Sequence, residues 1–184
     1  MATPLLHDPV TALRRLRTGG VVALPTEAVF GLHCLPDDAT AVARLRRLKK
    51  RPPNQGLILV ADALSSVTPW VRMRDLPRAR IEARRLRPVT WLLPASADCP
   101  EWIHGGLPEV AVRITHMPLL RAFCTACGGA LISTSANRRG WPPARDAHRV
   151  LAQFGDRLDG ILDAPTGGAA TVSELRRLDG RVLR

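Results

Sequence analysis

The 184-residue chain reads as an α/β protein, a mixed β-sheet packed by helices. Three observations predict this. Short apolar runs of the kind that form buried strands recur along the chain. Between them lie segments whose apolar residues repeat every three or four positions, as on one face of a helix. The two kinds do not alternate strictly, which argues against a doubly wound parallel sheet. A hydrophobic content of 46%, with no repeat and no low-complexity linker, favours a single domain over residues 1–184.

Asp8 and Pro9 open a first helix with Val10, Leu13 and Leu16 on one face, and Gly19 and Gly20 end it. Residues 21–24 form a buried strand that stops at Pro25, since proline cannot donate to a sheet ladder. The segment LPTEAVFGL then supplies a hydroxyl (Thr26), a carboxylate (Glu27), an aromatic (Phe30) and a flexible glycine (Gly31). A polar, glycine-hinged loop after a strand is where α/β proteins tend to bind ligands. Asp37 or Asp38 caps a second helix striped by Val42, Leu45 and Leu48, which carries Lys49, Lys50 and Arg51 at its end before Pro52 and Pro53 stop it. Residues 57–61 are a buried strand. Residues 75–87 read as a helix with Leu76, Ala79, Ala83 and Leu86 inward. Residues 89–93 form a strand ending at Pro94, and residues 109–115 alternate as another. Residues 118–127 are helical, and 130–133 form a short strand running into a loop of Ser133, Thr134, Ser135, Ala136 and Asn137. Residues 146–154 make a helix closed by Gly155. Residues 160–162, 171–175 and 181–183 are short strands.

The net charge of +11 favours an anionic partner such as a nucleotide, RNA or another phosphate compound. Arginine is the default cation here, so the only lysines, Lys49 and Lys50, stand out as compact charges suited to phosphate. Cations at a helix C-terminus also complement its dipole, so ordinary capping competes with a phosphate clamp. The hydroxyls and amide of the STSAN segment can hold a phosphate, or can form a plain Ser/Thr turn. Arg113 shares a strand face with Ala111 and Thr115, where it either forms a structural ion pair or grips a carboxylate. No P-loop or dinucleotide fingerprint is present. The pair Cys124 and Cys127 lies on the buried stripe with Leu120 and Phe123, which favours a core role over zinc or redox chemistry. The histidines show no metal-ligand spacing and no serine triad is defensible. The N-terminus lacks a basic region followed by an apolar stretch, no run is long enough to span a membrane, and the cysteines lack secreted disulfide spacing. A cytoplasmic protein with reduced thiols is expected.

PTEAVFGL, KKRPPNQGLILVA, PVTWLLP, VAVRITHMPL, STSANRRGWPP and VSELRRLDGRVLR occur in the order seen in YrdC-like proteins. The chain resembles that family over nearly its whole length, most of all the short bacterial form that makes threonylcarbamoyl-AMP. The resemblance implies a twisted mixed sheet with a basic concave cavity. It implies a nucleotidyltransferase that joins L-threonine, bicarbonate and ATP, with Mg²⁺, into L-threonylcarbamoyladenylate and pyrophosphate. A separate transferase machinery then passes the group to adenosine 37 of tRNA.

By motif, the resemblance assigns Lys49 and Arg51 to the ATP phosphates. It assigns Gln55, Ser135, Asn137, Pro143 and Arg184 to the nucleotide. Thr26, Ala28, Arg113, Ser133 and Ser173 fall to threonine. Lys49, Arg51 and Arg113 together neutralise charge in the reaction, and no residue is assigned to a protein-held metal. Ala28 and Phe30 replace two hydroxyl residues of the commoner family pattern. Arg85, Leu86 and Arg87 replace Trp-Pro-Gly, and Gln55 stands for an asparagine. Two other readings stay open: a non-enzymatic module binding tRNA or ribosomal RNA through the seven arginines between 72 and 87, and a related carbamoyl-adenylate enzyme with another substrate.

Overall fold

The computed structural model describes residues 3–183. Nine strands form one mixed sheet: β1 (Leu5–Leu6), β2 (Val22–Pro25), β3 (Phe30–Cys34), β4 (Ile58–Ala61), β5 (Val89–Pro94), β6 (Glu109–Ile114), β7 (Ala130–Ser135), β8 (Gly160–Leu162) and β9 (Glu174–Arg177). Their order is β1-β8-β2-β3-β7-β4-β6-β5-β9. The pairs β1/β8, β2/β8, β4/β6 and β5/β9 are parallel, and the other four are antiparallel. The helices are α1 (Pro9–Arg17), α2 (Ala39–Lys49), α3 (Arg78–Glu82), α4 (Glu101–His104), α5 (Pro118–Ala126) and α6 (Ala147–Phe154), with a 3₁₀ turn at Leu64–Val67.

Side chains alternate across the sheet, and each face has its own core. One face buries Ala23, Phe30, Leu32, Leu59, Trp91, Val112 and Ile132 against Val42 and Leu45 of α2 and Val150 and Phe154 of α6. The other buries Val22, Leu24, Val60 and Leu131 against Leu16 of α1 and Leu120 and Phe123 of α5. Period-2 alternation from Val60 and Leu131 puts Ile58 and Ser133 on that second face. Gly31, Ala111, Arg113 and Leu92 lie there too. These positions line a cavity instead of meeting a helix.

Several elements differ from the sequence expectation. Phe30 and Gly31 lie in β3, not in a loop, and Gly31 is a strand residue rather than a hinge. The loop shrinks to residues 26–29 because the N–H and hydroxyl of Thr26 both donate to the carbonyl of Val29, at 2.9 and 2.7 Å, closing a tight hairpin. The helix expected over 75–87 covers only Arg78–Glu82. Ala83 turns extended, and Pro88 disfavours helix at the residue before it. Leu86 is therefore fully exposed instead of inward. In α1 Val10 is also exposed, and Ala12 and Leu16 carry the stripe. Asp38, not Asp37, caps α2 by accepting from Ala41 N. The strand expected over 130–133 continues to Ser135, because β3 pairs with it through Gly31. The strand expected over 171–175 is displaced to Glu174–Arg177, where it pairs with β5. Residues 181–183 contribute only a bridge from Val182 to Arg176 across the turn at Gly180. Cys127 caps α5 half-buried, while Cys124 is buried. No helix among the described residues is long and apolar enough to cross a membrane.

Candidate active site

The cavity, of about 490 Å³, is floored by β3, β7, β4, β6 and β5 and walled by the 26–29 turn, residues 51–56 and residues 172–175. Thr26, Ala28, Arg51, Gln55, Arg113, Ser133, Ser135, Pro143 and Ser173 all line it. These residues span most of the sequence, and the sheet topology is what brings them together.

At one end the two basic and hydroxyl motifs are joined. The α2 helix ends at Lys50, whose left-handed conformation (φ 47°) reverses the chain and separates the two lysines. Lys50 faces solvent. Lys49 lies off the cavity wall and donates to the carbonyl of Ser135 (2.7 Å), to Asn137 Oδ1 (2.9 Å) and to the carbonyl of Asn137. The Ser135 hydroxyl donates to the same Oδ1 at 2.6 Å, and the Asn137 amide nitrogen donates to the carbonyl of Trp141 at 2.7 Å. Lys49 thus ties the end of α2 to the STSAN segment. Burial, helped by the neighbouring Arg51 charge, lowers its pKa from the ordinary 10.5 to about 8. Arg51 reaches the wall itself and donates to the carbonyl of Gly56. The 52–55 turn is held from beneath by Arg46, which donates to the carbonyls of Pro52 (2.8 Å), Gln55 (3.0 Å) and Trp102 (2.8 Å).

At the other end Arg113 is 8% exposed, on the small-residue face beside Ala111. Its Nη1 lies 3.5 Å from Glu27 Oε2. Glu27 Oε1 accepts from the Thr115 hydroxyl at 2.8 Å. Ser173 and Thr90 share a hydroxyl–hydroxyl bond of 2.8 Å at the β5 side of the cavity. Beneath Gly31 lies His33, fully buried. Burial, together with the Arg113 charge, pushes its pKa down to about 3, so the ring is neutral. A Cβ at Gly31 would stand 2.7 Å from His33 Cε1, so the imidazole fills the space that glycine leaves.

Sequence reasoning placed Glu27 in the ligand-binding loop without giving it a role, and did not assign His33 or the segment at residues 167–169, whose N–H groups donate to the carbonyls of Thr26 (2.9 Å) and Glu27 (2.7 Å). The paired glycines at 167 and 168 were the available signal: a Cβ at Gly167 would sit 3.0 Å from Glu27 Cα. Pro143 lies beside Ala144, whose carbonyl accepts from Phe30 N at 2.8 Å. Arg184 lies outside the described residues.

The Sua5/yciO/yrdC family model, described as "Telomere recombination", matches residues 14–184. The chain belongs to this family. Its Sua5/yciO/yrdC relatives include the threonylcarbamoyl-AMP synthase of Alkalilimnicola ehrlichii, 48% identical over 92% of this chain and 91% of that protein. The threonylcarbamoyl-AMP synthase of Klebsiella pneumoniae is 43% identical over 94% of this chain and 93% of its own. Among solved structures, P. abyssi Sua5 complexed with L-threonine superposes with a TM-score of 0.84 at 27% identity, covering 96% of this chain. The chain spans about half of that longer protein, 53% of its length. The fold is also that of E. coli YciO, with a TM-score of 0.79 at 20% identity over 100% of this chain and 91% of that one.

Proposed function

We propose that this protein is a threonylcarbamoyl-AMP synthase, a nucleotidyltransferase that uses L-threonine and ATP and takes bicarbonate as the carbon source. The observation that carries the reading is the single cavity in which Arg51, Ser135, Ser133, Arg113 and Ser173 converge, in a chain closely similar to relatives of that name over nearly their full length.

The amine of threonine and bicarbonate form a carbamate, and a carbamate oxygen attacks the α-phosphate of ATP as pyrophosphate leaves. Both partners in the second step are anionic, so positioning and charge neutralisation matter more than a strong base at that point. Arg51 supplies charge at the cavity wall, and Lys49 holds Ser135 and Asn137 where they meet the nucleotide. Gln55 and Pro143 flank that end. Arg113 grips the threonine carboxylate, and Thr26, Ala28, Ser133 and Ser173 surround the rest of the amino acid. The two wall carboxylates among the described residues, Glu27 and Glu109, each face an arginine, at 3.5 and 3.2 Å. That donor set does not make a cation cage, so Mg²⁺ enters with ATP as the substrate complex. The chain works as one YrdC-like domain in the cytoplasm, and a separate transferase carries the product to adenosine in tRNA.

Mass spectrometry of the protein with ATP, Mg²⁺, bicarbonate and threonine tests the reading. The expected products are threonylcarbamoyladenylate and pyrophosphate. Folded protein that releases no pyrophosphate in response to any amino acid refutes it.

A further inference from the structure

The cavity walls present cations where a substrate also carries one. Threonine is a zwitterion near neutral pH, and its ammonium group must be held by an acceptor and must lose a proton before nitrogen can attack carbon. An ammonium beside Arg51 and Arg113 in a largely buried site is unfavourable unless a carboxylate faces it.

Among the described residues, only Glu27 and Glu109 bring carboxylates to the cavity wall. Glu109 lies 3.2 Å from Arg177 on the sheet edge. Glu27 is placed differently. Its side chain is 16% exposed, Oε1 is held by the Thr115 hydroxyl, and Oε2 is buried and accepts no hydrogen bond from a described residue. Its backbone is clamped by the 167–169 segment, which approaches so closely that a Cβ at Gly167 would stand 3.0 Å from Glu27 Cα. The carboxylate and the Arg113 guanidinium therefore stand side by side in fixed positions, a negative and a positive group 3.5 Å apart. That pairing is complementary to the adjacent carboxylate and ammonium of an α-amino acid.

We propose that the Glu27 carboxylate receives the ammonium group of the amino-acid substrate and takes the proton it sheds before carbamate forms. The proposal rests on the synthase reading above. Proton transfer from ammonium to the Glu27 carboxylate leaves a neutral amine and a carboxylic acid. The amine nitrogen then bonds to the bicarbonate carbon as the carbon–oxygen bond to the hydroxyl breaks. The departing hydroxide leaves as water with the second amine proton. Glu27 also lines a second cavity of about 650 Å³, walled in part by the exposed Arg84, Arg85 and Leu86. The proton leaves Glu27 to water on that side.

The test compares the wild type with Glu27→Gln and Glu27→Asp in threonine-dependent pyrophosphate release. Competition by 3-hydroxybutyrate, which keeps the carboxylate and hydroxyl of threonine and lacks the ammonium, is measured alongside. The wild type is expected to favour threonine by at least about tenfold, the scale of one charge-assisted hydrogen bond. Glu27→Gln is expected to bring that preference to within about threefold and to lower kcat by about 10²-fold or more, the scale of a general base. Glu27→Asp keeps the charge one methylene short and should retain part of the preference with a reduced kcat. A Gln variant that keeps both kcat and the preference within about threefold of wild type overturns the proposal, since loss of general-base catalysis is expected to exceed that range. If the Gln variant does not fold, an Asp variant unchanged in both readouts overturns it equally. A wild type without threonine-dependent release overturns the synthase reading and takes this proposal with it. An active wild type with an unaffected variant removes only Glu27.

Discussion

The pH dependence of ATP use isolates Lys49. Its pKa falls to about 8 through burial and the Arg51 charge, so the ammonium is present below pH 8 and is lost above it. In the free enzyme this titration appears in kcat/KM for ATP. The charged fraction drops about tenfold between pH 7 and pH 9, which corresponds to roughly 1.4 kcal/mol of lost transition-state stabilisation if the cation is required. Stability moves the other way. The ordinary pKa of 10.5 lies above the folded value, so between about pH 8 and 10.5 the unfolded chain binds more protons. On the Lys49 account, folding is favoured as pH rises through that window. A fall in activity there cannot then be assigned to unfolding at this residue. The assay is the initial rate of pyrophosphate release at limiting ATP, with saturating threonine and bicarbonate, from pH 6.5 to 9.5. Lys49→Arg keeps its charge throughout and should show no bend near pH 8, whatever its residual rate. A wild-type profile flat to pH 9.5, or an identical bend in Lys49→Arg, refutes the reasoning.

Further outcomes follow from the same geometry. Arg51→Ala should lower adenylate formation by at least about tenfold in the same assay, without a matching loss of urea stability. Arg113→Met leaves Glu27 as an unpaired, largely buried carboxylate. It should cost about 3–5 kcal/mol in urea unfolding as well as threonine affinity, while an unchanged midpoint would show that the pair is not stabilising. Gly31→Ala places a methyl 2.7 Å from His33 Cε1 and should destabilise the fold by about 1–3 kcal/mol. The double variant with His33→Ala should recover part of that loss, and strict additivity of the two would count against the contact. Threonine should be preferred over serine by about 10–200-fold, the value of one methyl group in a fitted pocket, with valine poorer still. Equal rates for threonine and valine would mean that no group in the cavity reads the hydroxyl.

Many of the residues that meet in the cavity were legible in the sequence, more so than several element boundaries. The KKRP and STSAN motifs could be read because their residue types are unusual where they stand, and the structure joins them through Lys49. Arg113 could be grouped with Ala111 and Thr115 because residues 109–115 alternate in side-chain type. Glu27 could not be assigned because its partners, Arg113 and Thr115, lie 86 and 88 residues away and nothing local points to them. β3 was missed because its residues are buried on both faces, which erases the alternation a strand otherwise shows. The 75–87 segment misled for the opposite reason. Its helical stripe is real on paper, yet its arginines serve tertiary contacts. Arg80 and Arg85 lie over the Trp91 ring at 5.2 and 6.0 Å, and Arg80 donates to the carbonyl of Leu178.

The strand order has a consequence for how the chain is made. Ser173 meets Thr90 across 83 residues, and Lys49 meets Ser135 across 86. β5 pairs with β9 near the far end of the chain. At a synthesis rate of roughly 5–20 residues per second, the outer edge of β5 waits about 4–17 seconds on the ribosome for its partner. During that interval the backbone groups of the segment VTWLLP are open on that side, next to an apolar surface that also awaits its covering turn. A nascent chain halted after β8 has every strand but β9 and no closed cavity. The cavity is therefore among the last features of the fold that the chain completes.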